Sequence, residues 1–232
     1  MLVRGRTLVK GERFAGDRSI GHALQAAQVH ARRGVDELCI LDIAATAEGR
    51  GPDLDLVREL SEGCFIPITV GGGVRSLKDI DALLRAGADK VAIGAGIWRV
   101  RGLVTGASMR FGRQAVVAIL DVQDGAPLRE SCHTVAAVAE AIEAMGAGEI
   151  LLQDVDRDGT LCGYNLELIR DVSDAVSIPV VASGGCFSYA DMVSAFRAGA
   201  DGCAVGALFA FTDATPRGAA QFLKRNNIEV RA

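Results

Sequence analysis

No stretch of this chain approaches the ~18 consecutive apolar residues a membrane helix needs, and Met1-Leu2-Val3-Arg4-Gly5-Arg6 lacks the apolar core of a secretory signal. A membrane partner is not expected, and the sequence reads as cytoplasmic. It has no basic stripe: the formal net charge is −4, so nothing is set up to neutralise a nucleic-acid backbone. Small anions stay open, because backbone dipoles bind them whatever the net charge. The six cysteines, at 39, 64, 132, 162, 186 and 203, form no CxxC pair, which argues for reduced core thiols rather than disulfides or zinc. His22 and His30 share one expected helix and His133 stands alone, so no His/Cys/Asp cluster has metal-ligand spacing. Neither a metal nor a cofactor is expected. Nucleophile elbow, Walker loop and dinucleotide fingerprint are missing too. No Pro/Gly/Ser-rich linker interrupts the 232 residues, so 1–232 reads as one domain.

What the chain does have is an internal repeat. The stretch Gly148-Glu149-Ile150-Leu151-Leu152-Gln153-Asp154-Val155-Asp156-Arg157-Asp158-Gly159-Thr160 is a buried apolar strand ending in carboxylates, a cation and a glycine. Asp36-Glu37-Leu38-Cys39-Ile40-Leu41-Asp42-Ile43 matches it 112 residues earlier, and the offset holds without a gap. Glu37 falls on Glu149, Asp42 on Asp154, Gly51 on Gly163, Pro67 on Pro179, Gly72-Gly73 on Gly184-Gly185 and Ala86–Asp89 on Ala198–Asp201. One half has been duplicated and fused, with the halves at approximately 1–112 and 113–232.

Read in order, Leu2-Val3 and Thr7–Lys10 look like a first strand and its turn, Gly16–Ser19 like a loop and cap, and Ser19–Arg33 like a helix closed by Gly34. Strands Leu38–Ile43, Ile66–Val70 and Lys90–Ile93 then alternate with helices Leu54–Glu62, Leu77–Ala86 and Trp98–Phe111. The second half repeats the order. Its strands are Ala115–Asp121, Glu149–Val155, Pro179–Ala182 and Gly202–Val205; its helices are Thr134–Met145, Leu166–Val176, Tyr189–Ala198 and one near Pro216–Lys224. Such alternation requires parallel strands joined by right-handed crossovers. A twofold repeat of (βα)₄ closes naturally into a (β/α)₈ TIM barrel, and the length suits one.

Candidate chemistry therefore belongs at the strand C-terminal ends. Gly71-Gly72-Gly73 and Gly184-Gly185 follow equivalent strands, and Gly94-Ala95 and Gly206-Ala207 end the strands after them. Glycine there lets backbone N–H groups close on an anion, and four such turns in symmetric pairs suit a substrate with a phosphate at each end. Asp42, Asp121, Asp154, Asp156 and Asp158 also lie at or just after strand ends. Asp158, beside Gly159, is the best placed for acid/base work, and Asp121 is next. Glu37, Lys90 and Glu149 start strands at the opposite end.

Several motifs here resemble the cyclase subunit of imidazole glycerol phosphate synthase. They are Leu41-Asp42-Ile43, Glu48-Gly49-Arg50, Phe65–Gly73, Gly146–Leu152, Asp156-Arg157-Asp158-Gly159-Thr160 and Ile178–Gly185, and the likeness runs from Lys10 almost to the C-terminus. That resemblance implies a lyase/cyclase of histidine biosynthesis. Its partner would be a glutamine amidotransferase whose ammonia passes through the barrel to cleave and cyclise a bisphosphorylated nucleotide. It assigns Asp158 to one of two catalytic aspartates and Asp121 to an assisting role. Gly73, Gly94, Ala95, Gly159, Gly185, Gly206 and Ala207 match phosphate binding, Lys10 and Asp42 substrate binding, and Glu37, Lys90 and Glu149 three of four charges around the ammonia entrance. The chain departs from the pattern in places. Counted back from Lys10, the first catalytic aspartate becomes Leu2, which cannot shuttle a proton. The residues ahead of Lys10 are too few for a full first strand or for the arginine of the entrance ring. Strand Ala118–Asp121 registers two ways, with Leu120 or Asp121 at the important carboxylate position. Gly94-Ala95 lacks the usual side-chain donors, and the loops Gly11–Ser19 and Gln123–His133 are short. Leu2 together with Glu48–Pro52 is similar to cyclase-like paralogues that serve acetamidino modification of bacterial surface sugars. A phosphosugar isomerase on the same barrel and a silent barrel supporting an amidotransferase are the other readings.

Overall fold

The computed structural model describes residues 1–130 and 132–230. β1 (Leu2–Arg4) turns back into β2 (Thr7–Glu12) in antiparallel register, Leu2 opposite Val9. β3 (Ala15–His22) follows the two-residue turn Arg13-Phe14, whose φ of 51° and 60° are those of a type I′ hairpin. The expected loop at 16–19 and helix from Ser19 are thus replaced by a strand, and α1 (Ala23–Arg32) begins four residues later than Ser19. The reason is local. β3 buries no residue fully, so it shows no apolar period, and Gly16 and Gly21 take positive φ (66° and 146°) that a helix does not use.

Next come β4 (Leu38–Asp42), α2 (Leu54–Gly63), β5 (Ile68–Gly71), α3 (Leu77–Arg85), β6 (Lys90–Ile93), α4 (Ala95–Arg99) and α5 (Leu103–Phe111). The single helix expected over 98–111 is two, because Val100 is extended and Gly102 sits at φ 76°. After a 3₁₀ turn come β7 (Val116–Gln123), β8 (Ala126–Pro127), α6 (Val135–Ala144), β9 (Glu149–Asp154), α7 (Leu166–Ala175), β10 (Val180–Ser183), α8 (Tyr189–Arg197), β11 (Gly202–Ala204), α9 (Ala207–Phe211) and α10 (Pro216–Arg225). The expected loop at 123–133 opens as a hairpin, β8 pairing antiparallel with β7 across Asp124-Gly125, both at positive φ. Asp-Gly is the sequence such a turn favours. Ser131 of that loop lies outside the described residues.

The chain forms two compact units, one of Met1–Lys10, Arg18–Ile119 and Met145–Gly148, the other of Gly11–Asp17, Leu120–Ala144 and Glu149–Ala232. In the first, β1, β4, β5 and β6 are successive parallel neighbours and β7 joins β6 with Val91 opposite Val116. In the second, β9, β10 and β11 are parallel, with Leu152 opposite Ala182 and Ala182 opposite Cys203. Alternation along the strands sends Ile40, Ile68 and Val91 in the first unit, and Ile150 and Leu152 in the second, into cores shared with Leu60, Ile80 and Leu83 or with Ile142 and Val172. All are 2% exposed or less, and burial of this kind contributes about 1.5–3 kcal/mol per side chain. All six cysteines are free thiols. Among the described residues no helix is long and apolar enough to cross a membrane.

The fold is α/β, of the (β/α)₈ barrel class, and the repeat is carried through to single residues. α2 recurs as α7, β5 as β10, α3 as α8 and α4 as α9, each 112 residues on. Asp53 and Asn165 cap α2 and α7, and Ser76 and Ser188 cap α3 and α8, through the same N3 amide. Asp89 and Asp201 accept the N–H of Ile68 and Val180 at 2.8 and 2.9 Å. Gly72 and Gly184 have φ of 107° and 100°, and a Cβ on either would overlap the carbonyl oxygen of Asp42 or Asp154.

Gly184→Ala should therefore cost far more than Gly49→Ala, where φ is 67° but a Cβ meets nothing within 4 Å. Urea unfolding is expected to show about 1–2 kcal/mol for Gly49→Ala, from left-handed strain alone, and a several-fold larger loss for Gly184→Ala. Equal losses would mean that the close approach is not a constraint.

Candidate active site

In the second unit β9 ends at Asp154, and the chain turns through Val155–Thr160 at the C-terminal ends of β9, β10 and β11. Asp154 is 6% exposed and receives the Arg157 N–H at 3.3 Å and the Arg157 guanidinium at 3.5 Å. Burial raises its pKa; hydrogen bonding from Asn165 and Arg157 pulls the other way. The Arg157 guanidinium continues to the carbonyl of Gly163 at 3.2 Å, so this cation is engaged by its own turn. Asp156 accepts the Asp124 N–H at 2.7 Å and ties the β7–β8 turn to the end of β9.

Asp158 is the next carboxylate along, and it is 8% exposed. A cavity of about 20 Å³ places Asp158 and Gly159 together with Ser183-Gly184-Gly185-Cys186, Ala204 and Gly206-Ala207. That is room for about one water or one oxyanion oxygen. Gly206 precedes α9 and Gly184-Gly185 both take positive φ, so the walls are largely backbone. Cys186 and Cys203 are pushed up to about 12 by burial, which makes Cys186, although it lines the cavity, a poor nucleophile. The hydroxyl of buried Tyr164 donates to the Ala204 carbonyl at 3.3 Å and steadies the end of β11. Ser183 donates to Gln153 at 2.7 Å.

The tip of the β2–β3 hairpin docks on this turn. Arg13 N–H donates to the Asp158 carbonyl at 2.9 Å, and a Cβ on Gly159 would overlap the Gly11 carbonyl oxygen. Sequence reasoning missed this contact; the signal was a two-residue turn between polar strands, which carries no apolar period. Alternation in β7 also separates the two residues that the sequence left open. Leu120, with Ala118 and Val122, is 2% exposed or less and serves the core. Asp121 lies on the other face with its side chain 12% exposed and Arg129 at 3.9 Å. Burial raises the Asp121 pKa and Arg129 lowers it by less.

The first unit carries the matching strand-end arrangement. Asp42 is 9% exposed and accepts from the N–H groups of Ala44 and Ala45 at 3.0 and 3.2 Å and from the two terminal guanidinium nitrogens of Arg50 at 2.7 and 3.1 Å. Arg50 Nε also meets Glu48 at 2.6 Å, and these carboxylates raise its pKa. Arg50 was visible in the motif, yet its grip on Asp42 was not. Gly71–Gly73 end β5, and Gly94-Ala95 open α4. Lys10 is buried at 8%. At the start of the strands Thr69 donates to Glu37, whose other oxygen meets Lys90 Nζ at 2.9 Å. Thr69, 1% exposed, was not anticipated. Glu149 starts β9 in the second unit.

Glycine turns beside a buried carboxylate, at the C-terminal ends of parallel strands, stand where enzymes of the barrel class carry their active sites. The family model for histidine biosynthesis proteins matches residues 2–215. The chain belongs to that family, which is made up of histidine-biosynthesis enzymes.

The shift at Asp121 makes a prediction. Because the folded state holds this proton more tightly than the unfolded chain, its contribution to stability is complete below the ordinary carboxylate pKa and is lost as pH rises through the raised value. Asp121→Asn should match the wild type at acid pH and exceed it in urea midpoint at neutral pH. A variant less stable at neutral pH would show that Arg129, not burial, dominates.

Proposed function

We propose that this barrel uses ammonia, supplied by a glutamine amidotransferase, to cleave and cyclise or to amidinate a phosphorylated substrate. Asp158 is the acid/base group and Asp121 assists. The observation that carries the reading is that Asp158 shares one cavity with Gly184-Gly185 and Gly206-Ala207. A phosphate oxygen held by those backbone amides puts the rest of the substrate at the mouth, within reach of the carboxylate. Gly73 and Gly94-Ala95 are the equivalent clamp of the first unit, and Lys10 contributes a buried cation for a second anionic end. Asp42, locked by Arg50, holds the loop that borders this clamp. In the first unit Glu37 with Thr69 and Lys90 serves the ammonia entrance, where paired charges pass a neutral amine and retain ions, and Glu149 is the matching charge at the start of β9 in the second unit.

Leu2 favours a second reading within the same class. It stands in β1 opposite Leu41, where the histidine-pathway cyclase resemblance asks for an aspartate. A barrel with its clamps kept and one proton carrier lost suits amidination of a surface sugar. An isomerase of phosphorylated sugars would use the same clamps and need no ammonia, which separates it cleanly.

The test is turnover of the histidine-pathway bisphosphate substrate with excess ammonium salt, which bypasses any partner. Imidazole glycerol phosphate formation supports the cyclase. Binding without consumption favours the sugar reading, and turnover without ammonia the isomerase. Asp158→Asn is expected to lower kcat about 10²–10⁴-fold, the usual worth of acid/base catalysis, with phosphate affinity unchanged by calorimetry. An unchanged rate would refute the assignment.

A further inference from the structure

In the first unit the loop Glu48-Gly49-Arg50 is closed by charge. Arg50 Nε meets Glu48 at 2.6 Å, and the guanidinium of Arg75, two residues past Gly73, donates to the Gly49 carbonyl at 2.8 Å. The residues 112 positions on are Thr160, Leu161, Cys162 and Phe187, none of which is charged at neutral pH. Thr160 donates to the Cys162 sulfur at 2.9 Å, so a neutral pair stands in place of the ion pair, and two apolar side chains stand where Arg75 reaches Gly49. The backbone has not changed with them. Phe187 N–H is held by Asp191 at 3.0 Å as Arg75 N–H is by Asp79 at 2.9 Å, and Leu161 keeps the left-handed conformation of Gly49, with φ of 55° against 67°.

Neither apolar residue is explained by folding. A left-handed leucine carries a steric strain that glycine avoids, and Leu161 is only half-buried, so core packing offsets little of it. Phe187 is 57% exposed. Both stand at the glycine turns of the second unit: Leu161 lines the cavity that holds Asp158, Gly184-Gly185 and Gly206-Ala207, and Phe187 directly follows Cys186, another of its walls. Backbone strain kept at a cavity wall points to a role in what the cavity binds, and apolar surface beside it is stabilised when a ligand covers it.

We propose that Leu161 and Phe187 are specificity-determining residues, an apolar wall that selects a phosphate ester whose carbon frame presents a hydrocarbon face next to the phosphate, over an open polyhydroxylated chain. The inference rests on the phosphate-clamp reading above and narrows its substrate class. A cavity of about 20 Å³ takes little more than one phosphate oxygen, so the carbon frame lies outside it, beside these two side chains. The first unit, with Glu48, Arg50 and Arg75 at the matching positions, does not share the preference, and the two ends of the substrate are thereby told apart.

Calorimetry on the full chain compares phenyl phosphate, glycerol 3-phosphate and inorganic phosphate. The wild type is expected to bind phenyl phosphate at least about tenfold more tightly than glycerol 3-phosphate. Leu161→Gly and Phe187→Ser should each bring the two esters to within about threefold of one another, with the affinity for inorganic phosphate unchanged. Both substitutions lie in the second unit, so their effect assigns the preference to that clamp. Leu161→Gly should not lower the urea midpoint, since relief of strain offsets the larger chain entropy of glycine; a clear fall would assign Leu161 to packing and overturn its part. If the wild type binds the two esters equally, or if both variants keep its preference, the wall is refuted while the clamp stands. If none of the three phosphates binds the wild type, the clamp reading falls and the wall with it.

Discussion

The close approach of a glycine backbone to a buried carboxylate's own main chain is what the rest of this structure depends on. Gly72 lies against the backbone of Asp42, and Gly184 against that of Asp154. Only a residue without a Cβ, in a left-handed conformation, lets the strands end so near one another. From that approach follow two consequences at once. The aspartates are held at strand ends where water is scarce, so they recruit Arg50 and Arg157, and the glycine turns present N–H groups rather than side chains to whatever binds. Site and scaffold are the same few residues.

The paired carboxylates also show how a duplicated half can drift without losing its geometry. Asp42 and Asp154 are equivalent, yet Arg50 reaches Asp42 from eight residues on and Arg157 reaches Asp154 from three. The buried charge is the conserved demand inside this chain, and the cation that meets it comes from wherever the local turn allows. A bidentate, 2.7 Å contact in one unit and a looser 3.5 Å contact in the other follow from those different reaches. Removing either arginine leaves a buried charge uncompensated, the costly half of breaking such a pair.

Most of the barrel was legible because its signals are repetitive and strong. Apolar strands, Ser and Asp caps and glycine turns recur at one offset, and a strand buried on both faces reads as such whatever its neighbours. What was not legible shares a different physics. β3 and the β2–β3 tip are solvated, so no hydrophobic period marks them. The break at Val100–Gly102 depends on a single left-handed glycine. Within the site, Asp158 and the glycine turns could be placed by counting from strand ends. The roles of Thr69, Arg50 and the hairpin tip could not, because each depends on a contact between residues far apart in sequence. Which face Leu120 and Asp121 each take needed the actual pleat of β7, since a one-residue shift exchanges the two faces.

The same division explains how this chain can differ from the cyclase pattern at Leu2 and keep the glycine turns that the proposed function uses as clamps. Anion binding by backbone N–H groups is indifferent to most side-chain changes, provided the glycines and the carboxylates behind them remain. Proton transfer has no such tolerance, because it requires one titratable group at one place. Drift in a duplicated barrel therefore erodes chemistry before it erodes binding. On the function proposed above, a descendant that has lost one acid/base group would still hold a phosphorylated molecule against Asp158, and selection could then act on the reaction while the scaffold and its glycine turns stay as they were.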